Sequence, residues 1–322
     1  MRYLRYLLML VLVSFAVLRL KPLINDISLF LKLVENINYS WFILAVFCIF
    51  GQYFGDGWLS QILLKIAGVS IKLKDNMKIA VMDVFASHML PLGDAGAIVT
   101  SYYFYKKIGV ESHAVVFLTI FWAIFTNLTM FTLLVLSIIF LPKLENFPFH
   151  ISKLTQIILT TLALVCPILI ILRKKLWKLA NRFISKYPWF SQFAKDIAKT
   201  ASYRKIIFKN KTLLLQALLA SFIYFAGNIA SLTFAFLAFG HPPAISVIAF
   251  AYLISLIASF ITLAPAGIGS AEAALVLVFQ QFKVEPALAL AASLTFRFIT
   301  SWLPVPFGFL AYKNMVKYPR KG

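Results

Sequence analysis

An acidic and a basic side chain set among apolar residues are costly enough to demand a reason. Glu272 closes the run Pro265-Ala266-Gly267-Ile268-Gly269-Ser270-Ala271-Glu272, and Arg297 stands in the apolar segment that follows. Ionisable groups inside hydrocarbon pair with one another, face a protein interior or contact a substrate. The glycines permit a tight turn and expose N–H groups where a helix begins, an arrangement that holds anions such as phosphate. Arg297 adds a planar, permanently charged donor that matches phosphate oxygens. The plainer alternative is that Glu272 and Arg297 neutralise each other and pin two helices.

A second break of the same kind is Pro91-Leu92-Gly93-Asp94-Ala95-Gly96, preceded by Asp83 and His88. Asp94 either caps N–H groups freed at the break or meets a substrate amine or a proton. His88 is either a satisfied interior histidine or a group that responds to pH. The candidate substrate-binding residues are therefore Pro265, Gly267, Gly269, Glu272, Arg297, Asp94, Gly93 and Gly96, and the candidates for proton coupling are Glu272, Asp94 and His88. Asp56 and Glu111 fall near the expected membrane boundaries and read as interfacial. The sequence has no H-E-x-x-H, no G-x-S-x-G and no phosphate loop ending in Lys-Ser or Lys-Thr. No enzyme activity, cofactor or metal is expected, and the two cysteines, Cys48 and Cys166, lie in apolar runs as core packing.

The elements that carry these residues must cross a membrane. The chain is 61% hydrophobic and 13% charged, with mean hydropathy +0.88, far from the balance of a soluble domain. Weak alternation of polar and apolar residues excludes a barrel, so the expected fold is an all-α polytopic membrane protein. Six full spans are expected near Leu4–Leu20, Tyr39–Trp58, Ala114–Leu141, Ile151–Leu172, Thr212–Phe239 and Pro286–Leu310. Arg19, Lys21 and Pro22, in place of a small-residue cleavage site, make the first an uncleaved span rather than a signal peptide. The regions Ile79–Tyr105 and Ala244–Phe282 contain the two Pro/Gly breaks and are expected to be hairpins that turn within the membrane, buried in protein or lining a wet cavity.

The net charge of +20 does not point to nucleic acid, because Lys and Arg fall between apolar runs. With the N-terminus cytoplasmic and each hairpin returning to its own side, 24 Lys/Arg lie inside and six outside, which places both termini in the cytoplasm of a cell (inner or plasma) membrane protein. Twelve of those cations, against Asp196 alone, occupy Arg173 to Lys211, a cytoplasmic loop that can also attract anionic lipid. Trp41, Trp58, Tyr102, Tyr103, Trp189 and Tyr312 suit anchoring at headgroup level.

The two breaks repeat at a fixed offset. Pro91, Gly93, Ala97, Val110, Glu111 and Thr126 recur 174 residues later as Pro265, Gly267, Ala271, Val284, Glu285 and Thr300. With the charge-derived topology this implies inverted repeats meeting at the midplane. The expected layout is a first span and outer loop (1–38), repeat 1 (39–141), a connecting span and basic loop (142–211), repeat 2 (212–313) and a basic tail (314–322).

Taken together, Pro265, Gly267, Ile268, Gly269, Glu272, Arg297, Pro304 and Gly308 resemble the pattern of the lysylphosphatidylglycerol synthase transmembrane-region family, the flippase-like membrane proteins. Pro91 to Gly96 is similar to that family's earlier Gly/acidic motif. The resemblance implies translocation of a lipid or lipid-linked headgroup, since the best-known members move aminoacylated phosphatidylglycerol and confer resistance to cationic peptides. Two departures matter. Apolar Ile120, Phe121 and Trp122 replace charged residues expected in the span after the first motif, and the aminoacyltransferase domain is absent, so synthesis of lysyl-lipid is not expected. The expected partners are phosphate-containing membrane lipids, with a lipid- or glycan-modifying enzyme as a further candidate. The alternatives are a carrier or channel for a small polar solute and a non-transporting scaffold.

Overall fold

The computed structural model describes residues 37–89, 94–141, 210–240, 242–262 and 269–316, together with Glu35 and isolated positions between 196 and 209. The expected spans Leu4–Leu20 and Ile151–Leu172, most of the basic loop with Trp189, and the basic tail beyond residue 316 lie outside the described residues, as does Cys166. Among the described residues the fold is helical throughout. In chain order the helices are α1 (Tyr39–Ile66), α2 (Leu73–Met89), α3 (Asp94–Lys107), α4 (Ser112–Ile139), α5 (Lys211–Leu237), α6 (Ile245–Thr262), α7 (Ser270–Gln281), α8 (Pro286–Arg297) and α9 (Pro304–Val316).

Asparagines open the two central helices. Asn38 Oδ1 accepts from the N–H groups of Ser40 and Trp41, and Asn210 Oδ1 from those of Thr212 and Leu213, satisfying donors that a helix start leaves free. Among the described residues, four stretches are long and apolar enough to cross a membrane: α1, α4, α5 and the continuous run Pro286–Met315 formed by α8 and α9. In that run Phe298–Trp302 widens into a π-turn, closed by Leu303 N–H on Phe298 O at 2.8 Å. Pro304 explains the widening, because it has no N–H to donate and its ring crowds the carbonyl one turn back. The helix pairs α2–α3 and α6–α7 are separated at residues 90–93 and 263–268, which lie outside the described residues.

The α1–α5 crossing is the axis of the molecule. Gly51 and Gly55 on α1 face Gly227 and the Ala220–Tyr224 backbone on α5, so the helices run antiparallel with their backbones nearly touching. A Cβ at Gly55 would lie 2.5 Å from Tyr224 N, whereas one at Gly51 would make ordinary contact with Gly227 Cα at 3.4 Å. Small residues at this spacing are how membrane helices approach closely without a hydrophobic driving force. Asn38 N–H to Ala238 O at 2.8 Å, and Trp41 stacked on Phe234, close one end of the crossing.

Around that axis the helices exchange partners: α2 packs on α9, and α6 packs on α4. One core gathers the second half of α1 with α2, α3 and the start of α4, including Leu63, Met82, Phe104 and Phe117. Another gathers the end of α4 with α5 to α8, including Phe236, Ile248, Phe279 and Ala292. The turn between α3 and α4 recurs between α7 and α8. Gly109 (φ 94°) and Lys283 (φ 59°) take the left-handed conformation, Val110 and Val284 N–H bond back to Tyr105 O and Phe279 O, and Glu111 and Glu285 precede the next helix. Outward-facing Phe47, Leu215 and Phe307 are 68%, 67% and 61% exposed, an apolar exterior suited to lipid rather than water.

Candidate functional site

Glu272 sits in the first turn of α7, and Arg297 is the last residue of α8, next to the π-turn. The packing of α7 on α8 brings them together. Arg297 Nε donates to Glu272 Oε1 at 2.7 Å, and the two side chains are 17% and 19% exposed. The other carboxylate oxygen, Glu272 Oε2, accepts from Gly269 N–H at 2.7 Å. This is one half of a capping box. Glycine has no side chain to return the bond, and its φ of 85° is the left-handed geometry that lets its N–H point at the carboxylate. Glu272 is thereby held by a guanidinium and by the positive end of a helix at once. An anionic oxygen binds at such a place, and here the chain supplies its own.

Of the remaining expected site residues, Pro265 and Gly267 fall at 263–268, outside the described residues, and so does Gly93. Asp94 opens α3, but its side chain is outside the described residues, and Gly96 is buried in the first turn of α3. His88 lies near the end of α2, with Nδ1 2.8 Å from Val84 O and 3.2 Å from Ser87 Oγ, and its ring packs edge-on against Trp302 of the π-turn. His88 thus touches the same π-turn that Arg297 precedes, from the α2 side.

Asp56 lies within α1, which continues to Ile66, past the span expected to end at Trp58, and it accepts a hydrogen bond from Trp122 Nε1 on α4. Trp122, one of the apolar residues of α4, supplies the donor. Asp83 on α2 accepts from Ser101 Oγ on α3. Tyr105 OH donates to Asn76 Oδ1 at 3.0 Å. Glu111, by contrast, does sit at a helix start, 75% exposed and 3.2 Å from His113 Nδ1, and His113 Nε2 lies 2.7 Å from Tyr203 OH. Cys48 is a free, half-buried thiol on α1. Among the described residues no group of three or more His, Cys, Asp or Glu can hold a metal.

Between the two polar regions, Tyr224 packs edge-on against Phe225, which packs edge-on against Tyr252. Tyr53 is within electrostatic reach of Asp56 and Tyr224, and Tyr252 is within reach of Tyr224 and Arg297. Tyr224 also packs edge-on against Trp122 at the α1–α4–α5 contact. Sequence reasoning located Glu272 and Arg297 by their charge in an apolar run. It read Asp56 as interfacial and did not single out Tyr53, three residues before it on α1, or Tyr224 and Tyr252 on α5 and α6.

The family model described as the lysylphosphatidylglycerol synthase TM region matches residues 4–308. The chain is also similar to the UPF0104 membrane protein MJ1595 of Methanocaldococcus jannaschii, with 24% identity over 293 residues, covering 87% of this chain and 86% of that protein.

Proposed function

The chain belongs to the lysylphosphatidylglycerol synthase transmembrane-region family, and from that premise we propose that it moves a phospholipid or lipid-linked headgroup across a bilayer, with no catalytic step of its own. The observation that carries this reading is the seat occupied by Glu272. Its carboxylate bridges Arg297 Nε and Gly269 N–H, the two kinds of donor a phosphate oxygen requires.

In this reading Glu272 is a placeholder. A headgroup phosphate displaces the carboxylate, takes the same donors during passage, and is released when Glu272 returns. A phosphate cannot cross about 30 Å of hydrocarbon alone, since unsatisfied polar groups there cost several kcal/mol each. The acyl chains stay in lipid while the headgroup passes between the halves.

The inverted-repeat reading is supported by element order. Helices of 28, 17, 14 and 28 residues are followed by helices of 27, 18 and 12, then α8 and α9. Antiparallel α1 and α5, exchanged packing and the recurring left-handed turn all fit a pseudo-two-fold axis in the membrane plane. The charge asymmetry supports an inner or plasma membrane setting with both termini cytoplasmic.

Purified protein in liposomes, supplied with labelled phospholipid or polyprenyl phosphate in one leaflet, tests the proposal. Redistribution of the label to the other leaflet is the expected result. Uptake of a water-soluble solute without lipid movement favours the carrier alternative. If neither moves and substitutions in Arg173–Lys211 matter more than those at Arg297, the scaffold alternative stands.

A further inference from the structure

The run Pro286–Met315 changes partners along its length. Before the π-turn it packs with the second half: Ala292 and Phe296 of α8 share a core with Phe236 of α5 and Phe279 of α7, and Phe296 meets Tyr252 of α6 edge-on at 5.8 Å. After the π-turn it packs with the first half. Phe309 and Tyr312 of α9 lie against Phe85 of α2, and Met315 enters the core of Leu63 and Met82. The change falls within the π-turn itself, where Ile299 is fully buried with Ile49 of α1 and Ala80 of α2, and Trp302 meets His88.

Both sides of this joint are keyed to their neighbours. On α9, a Cβ at Gly308 would lie 2.6 Å from Val81 O and 2.6 Å from Phe85 Cβ, so the face that α9 turns to α2 is fixed by close backbone approach. On α8, Arg297 Nε meets Glu272 Oε1 at 2.7 Å. Arg297 is the last residue before the turn, so the turn sets the angle between the two keys. Leu303 N–H bonds Phe298 O, five residues back rather than four, which takes one more residue into the turn than an α-helix holds. One residue corresponds to about 100° of rotation at 3.6 residues per turn. Were the turn to tighten with α9 still keyed to α2, α8 would rotate by about that angle, and Arg297 would leave Glu272.

We propose that the π-turn positions Arg297, and that Pro304 holds the turn wide: the wide turn aims Arg297 at the Glu272 seat, and a tightened turn takes it off. Pro304 does this by bringing no N–H and by crowding the carbonyl one turn back. It is a positioning residue, acting through Arg297. The inference deepens the reading of Glu272 as a placeholder and rests on it, naming what aims the guanidinium at the seat; the aim is measured without transport.

A double-mutant cycle of Glu272→Gln and Arg297→Met, read from unfolding equilibria of the full chain in detergent, reports whether the two side chains meet. The wild type is expected to show a coupling of roughly tenfold or more. Pro304→Ala restores an N–H and lets the turn tighten, and the coupling falls to about twofold or less. Deleting Trp302 in the Pro304→Ala chain removes the extra residue, so α8 and α9 regain their angle within an uninterrupted α-helix and the coupling returns. A merely structural loss at Pro304 does not recover in this way, because the deletion takes away the contact with His88 as well. If Pro304→Ala does not fold, Pro304→Ser, which also carries an N–H, takes its place. The proposal is overturned if the wild type shows no coupling, if the Pro304 variant keeps it, or if the deletion fails to restore it. Lipid movement separates this inference from the function it rests on. A wild type that moves no lipid while the coupling pattern holds overturns the placeholder reading and leaves the positioning in place, whereas a wild type that moves lipid without the coupling pattern overturns the positioning alone.

Discussion

The two halves keep charge inside the molecule in opposite ways. In the second half Glu272 and Arg297 cancel, and a helix start takes up the remaining carboxylate oxygen. In the first half Asp56 and Asp83 form no ion pair among the described residues and are met by an indole and a hydroxyl. The lesson is that a recurring turn and helix order do not impose recurring chemistry. The helix order and the α3–α4 and α7–α8 turns recur, while one half pairs its carboxylate with an arginine and the other meets its two with neutral donors.

The largest expected effect breaks the completed half. Arg297→Met leaves Glu272 without its counter-charge and is expected to cost about 2–4 kcal/mol, read as a lower unfolding midpoint in detergent. Glu272→Gln/Arg297→Met recovers most of that loss. The same operation on the first half lacks that cost: Asp83→Asn keeps an acceptor for Ser101 and breaks no ion pair among the described residues, so stability is unchanged or higher. A loss as large as that of Arg297→Met would erase the distinction between the halves.

The axis that both halves share gives the next effect. Gly55→Ala forces a Cβ against the Tyr224 and Ala220 backbone and is expected to destabilise by about 1–3 kcal/mol, whereas Gly51→Ala, with room for ordinary contact, is close to neutral. Comparing their unfolding midpoints checks whether the crossing is as close as described. The smallest effect sharpens the likeness of the two turns. Lys283→Gly places at the second turn the residue that the first has in Gly109, relieving a left-handed strain of about 1 kcal/mol, so the unfolding midpoint should rise slightly.

Legibility followed local chemistry. Glu272 and Arg297 were visible because charge in an apolar run is conspicuous, and the glycines marked the α7 start because only glycine takes Gly269's φ without strain. That the two pair with each other was one of two readings the sequence left open, and deciding between them needed the way α7 meets α8. The end of α1 was less legible, because Trp58 looked like an interfacial end whereas the helix runs on to Ile66, 28 residues in all, about 42 Å at 1.5 Å per residue. The α1–α5 crossing was written in Gly51, Gly55 and Gly227, but small residues announce a close contact without naming the partner. The four spanning stretches agree with four of the expected spans, because twenty apolar residues in a row admit few other structures.

Lipid movement by reconstituted protein tests the central claim most directly, with wild type compared against Glu272→Gln/Arg297→Met at verified orientation and equal incorporation. The account predicts that the wild type carries labelled phospholipid or polyprenyl phosphate to the opposite leaflet, and that the double variant, although as stable as a packed neutral pair allows, does not. A double variant that moves lipid as fast as wild type, or a wild type that moves none with or without an imposed proton gradient, would contradict it.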